Sequence, residues 1–296
     1  MAVEELNRYT ETLKADFPNL PIEKVDFIGQ GWDHVAVEVN GSIIFRLPRG
    51  VYNQEHLQKS VRYETQILKH LRGKLPVAIP DPQFIAPGEK YFGYPKLPGK
   101  LLNEILSDFT PQDIMQAQKD WVAIAVGIHQ GVPLELARGL EIPEFDSQWF
   151  IDNAKKLFSL PDIKQPILDF AKRVITRAEA IDTSKHLSFI HNDLHFLNLL
   201  ANPATKRITG LIDWTALTIG PLEKEFSIWE WGHDNQLADV AGLYEVRTSI
   251  KIDQRAAKTW RHLEELSDWV EQLEKNESSG AFDSLDHIQR WIEEEN

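Results

Sequence analysis

No cysteine occurs in the 296-residue chain, which excludes a disulfide framework, a thiolate nucleophile and a cysteine-ligated zinc site. Chemistry must then rest on carboxylates, histidines, amides and backbone groups, and the absence fits a reducing compartment. Long apolar runs are also missing. No window approaches the roughly 18 uncharged apolar residues that a spanning helix requires, so no membrane role is expected. The N-terminal stretch MAVEELNRYTETLKADF is acidic and amphipathic. It lacks the basic start and apolar core of a secretory signal, so a cytoplasmic protein is expected. Positive charge is scarce as well, with 32 Lys and Arg against 45 Asp and Glu and a net charge of −13. Binding to nucleic-acid phosphates needs clustered cations, so nucleic acid is not expected as a partner.

The charge that is present is unevenly spread. Residues 1–99 hold 12 basic and 12 acidic side chains, so the whole acidic excess lies in residues 100–296. A neutral part holding an anion and an acidic part receiving a cation would suit that asymmetry. A solvated outer face also explains it, because residues 261–296 alone carry 11 acidic and 3 basic residues in an amphipathic helical pattern.

The length predicts two domains, or two lobes of one. Leu6, Tyr9, Leu13 and Phe17 recur at helical spacing over residues 1–17. Val35, Val37 and Val39 then alternate, Asn40-Gly41 signals a type I′ hairpin, and Ile43, Phe45 and Leu47 resume the alternation on a returning strand. Gly29 and Gly31 fall between two strand-like segments just before. One helix is predicted over 53–72, and short strands around 83–86 and 91–94. Pro95-Lys96-Leu97-Pro98-Gly99 follows as an extended connector. Further helices are predicted over 111–130, 147–158, 163–181, 221–233, 236–248, 253–275 and 283–294. Two apolar strand-like runs, Leu187–Ile190 and Ile208–Ile212, bracket a polar loop. The architecture inferred is α+β: a small antiparallel β-rich N-lobe over 1–95, a hinge at 96–100 and a large helical C-lobe over 101–296.

The loop reads Ile190-His191-Asn192-Asp193-Leu194-His195-Phe196-Leu197-Asn198, and Leu211-Ile212-Asp213-Trp214 follows. Asp193, Asn198 and Asp213 are hard-oxygen side chains outside any helical period, flanked by apolar residues that draw the backbone inward. One amide and two carboxylates suit a divalent hard cation such as Mg²⁺, with phosphate and water oxygens completing its shell. That set points to phosphoryl transfer, which asks a protein for placement, charge neutralisation and one base. His191, Asp193 and His195, at alternate positions, leave a zinc site as the competing reading.

The spacing H-N-D-x-H-x-x-N from His191 to Asn198, with Ile212-Asp213-Trp214 downstream, resembles the catalytic loop and metal motif of the aminoglycoside phosphotransferase family. The resemblance runs in order through the Gly29–Asp33 loop, the Ile44–Arg49 strand, a helix carrying Glu64, the Leu75–Pro82 turn and the Pro95–Gly99 connector. It implies a bilobal protein-kinase-like fold, close to the aminoglycoside 2″- and macrolide 2′-phosphotransferases. It implies Asp193 as catalytic base, and Asn198 and Asp213 as ligands of Mg²⁺. Gly29 and Gly31 would let the backbone close over the triphosphate of ATP or GTP, a missing Cβ permitting both φ > 0 and near approach. Lys96 and Leu97 would supply the hinge N–H that meets the purine, with Tyr94 packed just before them.

The chain departs from the family pattern in places. Arg46 stands where a lysine is usual, with Glu64 as its partner; an exposed strand residue is the alternative. Asn192 replaces a commoner glycine, and Glu225 stands in for an aspartate near the loop. His191 is expected to fix loop backbone. Trp231, His233 and Asp234 would line an acceptor pocket, unless core packing accounts for Trp231. The function expected is a Mg²⁺-dependent kinase acting as a monomer on a small-molecule hydroxyl, above all that of an aminoglycoside antibiotic. Macrolide kinase, a housekeeping kinase for choline, homoserine or a sugar, and a nucleotide-binding pseudokinase are the alternatives.

Overall fold

The computed structural model describes residues 3–31, 34–49, 54–231, 236–275 and 284–295. The chain forms two compact units, the first comprising Met1–Ile142 and Leu194–Leu217, the second Pro143–Asp193 and Thr218–Asn296. Compactness thus divides the chain after Ile142 and on either side of the 194–217 segment, away from the 96–100 connector.

In the first unit, α1 (Val3–Asp16) packs on a five-stranded antiparallel sheet ordered β1-β2-β3-β5-β4. Its strands are β1 (Val25–Gln30), β2 (His34–Val39), β3 (Ile43–Pro48), β4 (Phe84–Ile85) and β5 (Phe92–Pro95). The alternation seen in the sequence sets the faces. Val35, Val37 and Val39 pair with Leu47, Phe45 and Ile43, and this side closes a core with Tyr9 and Leu13 of α1. Phe45 fills the space above Gly93, where a Cβ would stand 2.5 Å from its ring, so β5 must carry glycine there. The opposite side carries Ile44 and Arg46 beside Tyr94 and Phe92.

The β2–β3 turn uses Asn40 (φ 52°) and Gly41 (φ 70°), the left-handed pair that a type I′ turn requires. Asn40 also ties the turn down, accepting from the Glu23 and Lys24 N–H groups and donating to the Pro21 carbonyl at 2.6 Å.

α2 (Gln54–Leu71) follows within a residue of its predicted bounds. Beyond it come β6 (Lys100–Leu101), α3 (Leu102–Ile105), α4 (Pro111–Gly131) and α5 (Leu134–Gly139). Thr110 and Asp113 cap α4 reciprocally, with proline in its first turn. The unit is completed by β8 (Leu199–Ala201) and β9 (Ile208–Leu211), which join β6 in a sheet ordered β6-β8-β9.

The second unit holds α6 (Ser147–Lys155), α7 (Gln165–Glu179), β7 (Leu187–Ile190), β10 (Thr218–Pro221), α8 (Leu222–Phe226), α9 (Gln236–Thr248), α10 (Gln254–Lys275) and α11 (Ser284–Glu294). Its core gathers Trp260, Leu263, Leu266 and Val270 of α10 with Phe170 and Val174 of α7 and Ile288 and Trp291 of α11. The two strand-like runs that bracket the polar loop do not pair with each other. β7 pairs with β10, whereas β9 pairs with β8. The helix predicted from 221 begins as the strand β10, continues as α8, and tightens to a 3-10 stretch at Ser227–Trp231. Among the described residues, no helix is long and apolar enough to cross a membrane.

Candidate active site

The β8–β9 hairpin carries the two residues read as metal ligands to one end. Leu199 pairs with Leu211, and the Ile212 N–H donates to the Asn198 carbonyl at 2.9 Å. Asn198, 7% exposed, therefore stands just before β8, while Asp213 stands just beyond β9. The turn into Asn198 is closed by its own N–H donating to the His195 carbonyl and by the Leu197 N–H donating to His195 Nδ1 at 3.0 Å. From α4, the buried Trp121 indole donates to the Leu194 carbonyl at 2.7 Å. Asp213 takes a left-handed backbone (φ 59°), which Asp tolerates better than most residues. Thr215 Oγ1 donates to Asp213 Oδ1 at 2.7 Å.

Arg46 joins this end of the hairpin to the sheet and to α2. Its Nη1 lies 2.6 Å from Glu64 Oε1 and its Nη2 lies 2.8 Å from Asp213 Oδ1. At 7% exposure it is not a surface strand residue. Arginine's planar fork offers each carboxylate its own N–H group in a fixed direction, where the ammonium of lysine is a single compact charge. Burial works against the Arg46 charge, but Asp213 and Glu64 outweigh it and hold the guanidinium above its ordinary range. Burial pushes the Glu64 carboxyl up to about 7, with Asp213 adding to the rise while Arg46 and a backbone hydrogen bond from Trp214 oppose it. The Tyr94 phenol, buried on the same sheet face, is likewise raised, mainly by burial.

At the connector, the Lys96 N–H is already engaged, donating to the Ser42 carbonyl at 2.8 Å as the ladder runs past Pro95. Its ammonium pairs with Glu38 Oε1 at 2.6 Å. Of the two expected hinge donors, Leu97 alone keeps its N–H outside the ladder. Gly29 and Gly31 do not use positive φ, contrary to one reason for expecting glycine there. Among the described residues a Cβ at Gly29 would meet nothing within 4 Å, so packing within the chain does not itself require glycine there. Trp32 and Asp33 lie outside the described residues.

In the second unit, Glu225 of α8 is fully buried and its carboxylate spans the start of the polar loop. Oε2 accepts from the His191 N–H at 2.6 Å and Oε1 from the Asn192 N–H at 3.1 Å. Asn192 is left-handed (φ 66°), which explains why glycine or asparagine suits the position. Asp193 follows immediately, one peptide bond before Leu194. His191 is wholly buried. No backbone signal marked Glu225 as the clamp, but its place as a stand-in for an aspartate did. Trp121 carried no signal, because on an apolar helix it reads as core. His233 and Asp234 lie outside the described residues, as does the Trp231 side chain.

The Asn198 amide and Asp213 carboxylate, both hard oxygen donors at one hairpin end, fit Mg²⁺ chemistry. Among the described residues no three His, Asp or Glu side chains form a metal-binding group.

Comparison with known proteins gives the family and the fold. A sequence profile described as the phosphotransferase enzyme family matches residues 24–266. No curated protein sequence matches. Among solved structures the chain is similar to the GDP complex of wild-type aminoglycoside 2′-phosphotransferase-IIIa, at 20% identity over 98% of this chain and 97% of that one, with a TM-score of 0.80. It is similar to the GDP and kanamycin complex of an APH(2″) enzyme, at 19% identity, 97% of each chain and a TM-score of 0.79. A macrolide 2′-phosphotransferase from Brachybacterium faecium aligns at 17% identity, over 93% of this chain and 94% of that one, with a TM-score of 0.69. These likenesses establish the α+β, protein-kinase-like fold. The profile spans well over half of the sequence, and the chain belongs to the phosphotransferase enzyme family.

Proposed function

We propose that this phosphotransferase moves the γ-phosphate of ATP or GTP to a hydroxyl of an aminoglycoside in a Mg²⁺-dependent reaction. The observation that carries the reading is the double pairing of Arg46 with Glu64 and Asp213, beside Asn198 at the same hairpin end. Asn198 and Asp213 would hold Mg²⁺, which when bound neutralises phosphate charge during transfer. Arg46 adds positive charge for the phosphates and is kept in place by Glu64. Gly29 and Gly31 would let the backbone approach the phosphates closely, and the Leu97 N–H would meet the purine edge. Asp193 accepts the proton of the attacking hydroxyl, on a loop whose backbone Glu225 holds.

The acidic excess of residues 100–296 supports a polycationic acceptor, whose ammonium groups would pair with carboxylates. The macrolide 2′-phosphotransferase with the same fold supports a macrolide as second reading. We place the enzyme in the cytoplasm as a monomer. Phosphate transfer is measured with ATP and GTP, with and without Mg²⁺, over aminoglycosides, macrolides, choline, homoserine and sugars. Turnover on aminoglycosides at about 1–100 s⁻¹, lost without Mg²⁺, is the expected result. Turnover confined to another class would overturn the acceptor, and nucleotide binding without transfer to any acceptor would make this a pseudokinase.

A further inference from the structure

Helix α4 holds the β8–β9 region with two consecutive buried residues, Asp120 and Trp121, and the two bonds fall at different places. Asp120 takes the turn end of the hairpin. Arg207 Nε and Nη2 donate to its two carboxylate oxygens at 2.8 Å each, and the Ile208 N–H donates to Oδ2 at 3.1 Å. This bidentate pair fastens the entry to β9, at the opposite end of the hairpin from Asn198 and Asp213. Trp121, 1% exposed, reaches the polar loop instead, its indole N–H donating to the Leu194 carbonyl at 2.7 Å. Phenylalanine could supply a ring at that position, but the N–H is particular to tryptophan.

Leu194 is wholly buried, and Asp193 just before it is half-buried. The backbone on each side of Asp193 is thus fixed within its own unit. In the second unit, Glu225 takes the N–H groups of His191 and Asn192. In the first, the buried Leu194 side chain and the bond from Trp121 fix the residue that follows Asp193. Held on one side only, Asp193 would keep its own φ and ψ free, and fixing Leu194 removes that freedom.

We propose that Trp121 is a positioning residue for phosphoryl transfer, its N–H bond to the Leu194 carbonyl setting the backbone that aims the Asp193 carboxylate. The proposal rests on the reading of Asp193 as the base. Misplacing a reacting group by about 1 Å can cost on the order of 10²-fold in rate, so loss of the bond should appear in turnover rather than in nucleotide binding.

Steady-state transfer by the full chain tests it, with Mg²⁺, ATP and whichever of the aminoglycosides, macrolides, choline, homoserine and sugars turns over fastest. Wild type is compared with Trp121→Phe, Asp120→Asn and Asp193→Ala. Trp121→Phe is expected to lower kcat by about 10–10²-fold while the Michaelis constant for ATP changes by less than about twofold. Asp120→Asn loosens the other bond from the same helix, and is expected to lower the urea midpoint while leaving kcat within about twofold of wild type. Unchanged kcat in Trp121→Phe would overturn the proposal. So would an equal loss of kcat in Asp120→Asn, because both residues would then act only by holding the fold. Asp193→Ala separates the two levels. A large loss there beside an unchanged Trp121→Phe overturns the positioning role alone, whereas a mild effect there, or no turnover on any acceptor, overturns the reading of Asp193 and this proposal with it. If Trp121→Phe does not fold, replacing Trp121 with benzothienylalanine, which keeps the two-ring shape but carries sulfur in place of the N–H, makes the same test.

Discussion

Each unit buries a glutamate, and the two are used in opposite ways. Glu64 of the first unit meets a side chain, Arg46, which in turn reaches Asp213. Glu225 of the second unit meets main chain, the N–H groups of His191 and Asn192. A carboxylate held by a guanidinium can be retuned by whatever next approaches that guanidinium. One spanned by two amides fixes a chain path. The first arrangement suits a site that exchanges charge with a ligand, and the second a loop that must present its next residue, Asp193, without moving.

The sharpest way to break this contrast is at the residue the clamp presents. Asp193→Ala is expected to reduce transfer by about 10²–10⁴-fold, the worth of a positioned base, with nucleotide binding nearly intact. A mild effect in steady-state kinetics would remove Asp193 from its role. Glu225→Ala comes next. It strands two inward-facing N–H groups at about 1–3 kcal/mol each, so urea unfolding should register a loss of about 2–5 kcal/mol. Wild-type stability would mean the loop does not depend on the clamp.

Glu64 should instead show itself through pH. Its folded-state carboxyl stands at about 7 against an ordinary 4.5, so between those values the folded chain keeps a proton that the unfolded chain has lost. Stability must therefore fall as pH rises from about 4.5 to 7, by on the order of 3 kcal/mol. Urea unfolding of wild type against Glu64→Gln checks it, because the variant should lose that slope. Parallel curves would mean that Arg46 keeps Glu64 ionised throughout. The smallest effect is expected for Arg46→Lys, which retains the charge but not the fork. The Michaelis constant for nucleotide should rise by less than about tenfold, and a larger rise would mean that both pairings are needed at once.

Much of this contrast was open to reading in the sequence, and the parts that were not share a cause. The amphipathic periods of α2 and α10 located them to within a residue or two, and Asn40-Gly41 marked its hairpin because asparagine and glycine take left-handed conformations more readily than most residues. β8 and β10 went unread, since three or four buried residues carry too little period, and Gly220-Pro221 argues locally against a strand. The hard-oxygen residues stood out because each interrupts an apolar run. That Arg46 would bridge to Asp213, 167 positions away, has no local signature. Nor did the spent N–H of Lys96, which follows from how the β3–β5 ladder is registered.

The most direct test of the Arg46, Asn198 and Asp213 assembly is the titration of ATP and GTP into wild type and Asp213→Ala, each with and without Mg²⁺. Mg²⁺ should tighten nucleotide binding by about tenfold or more in wild type and by nothing in the variant. Equal tightening in both proteins would contradict the assignment of Asp213 to the metal, and the phosphotransfer site would have to be sought among other residues.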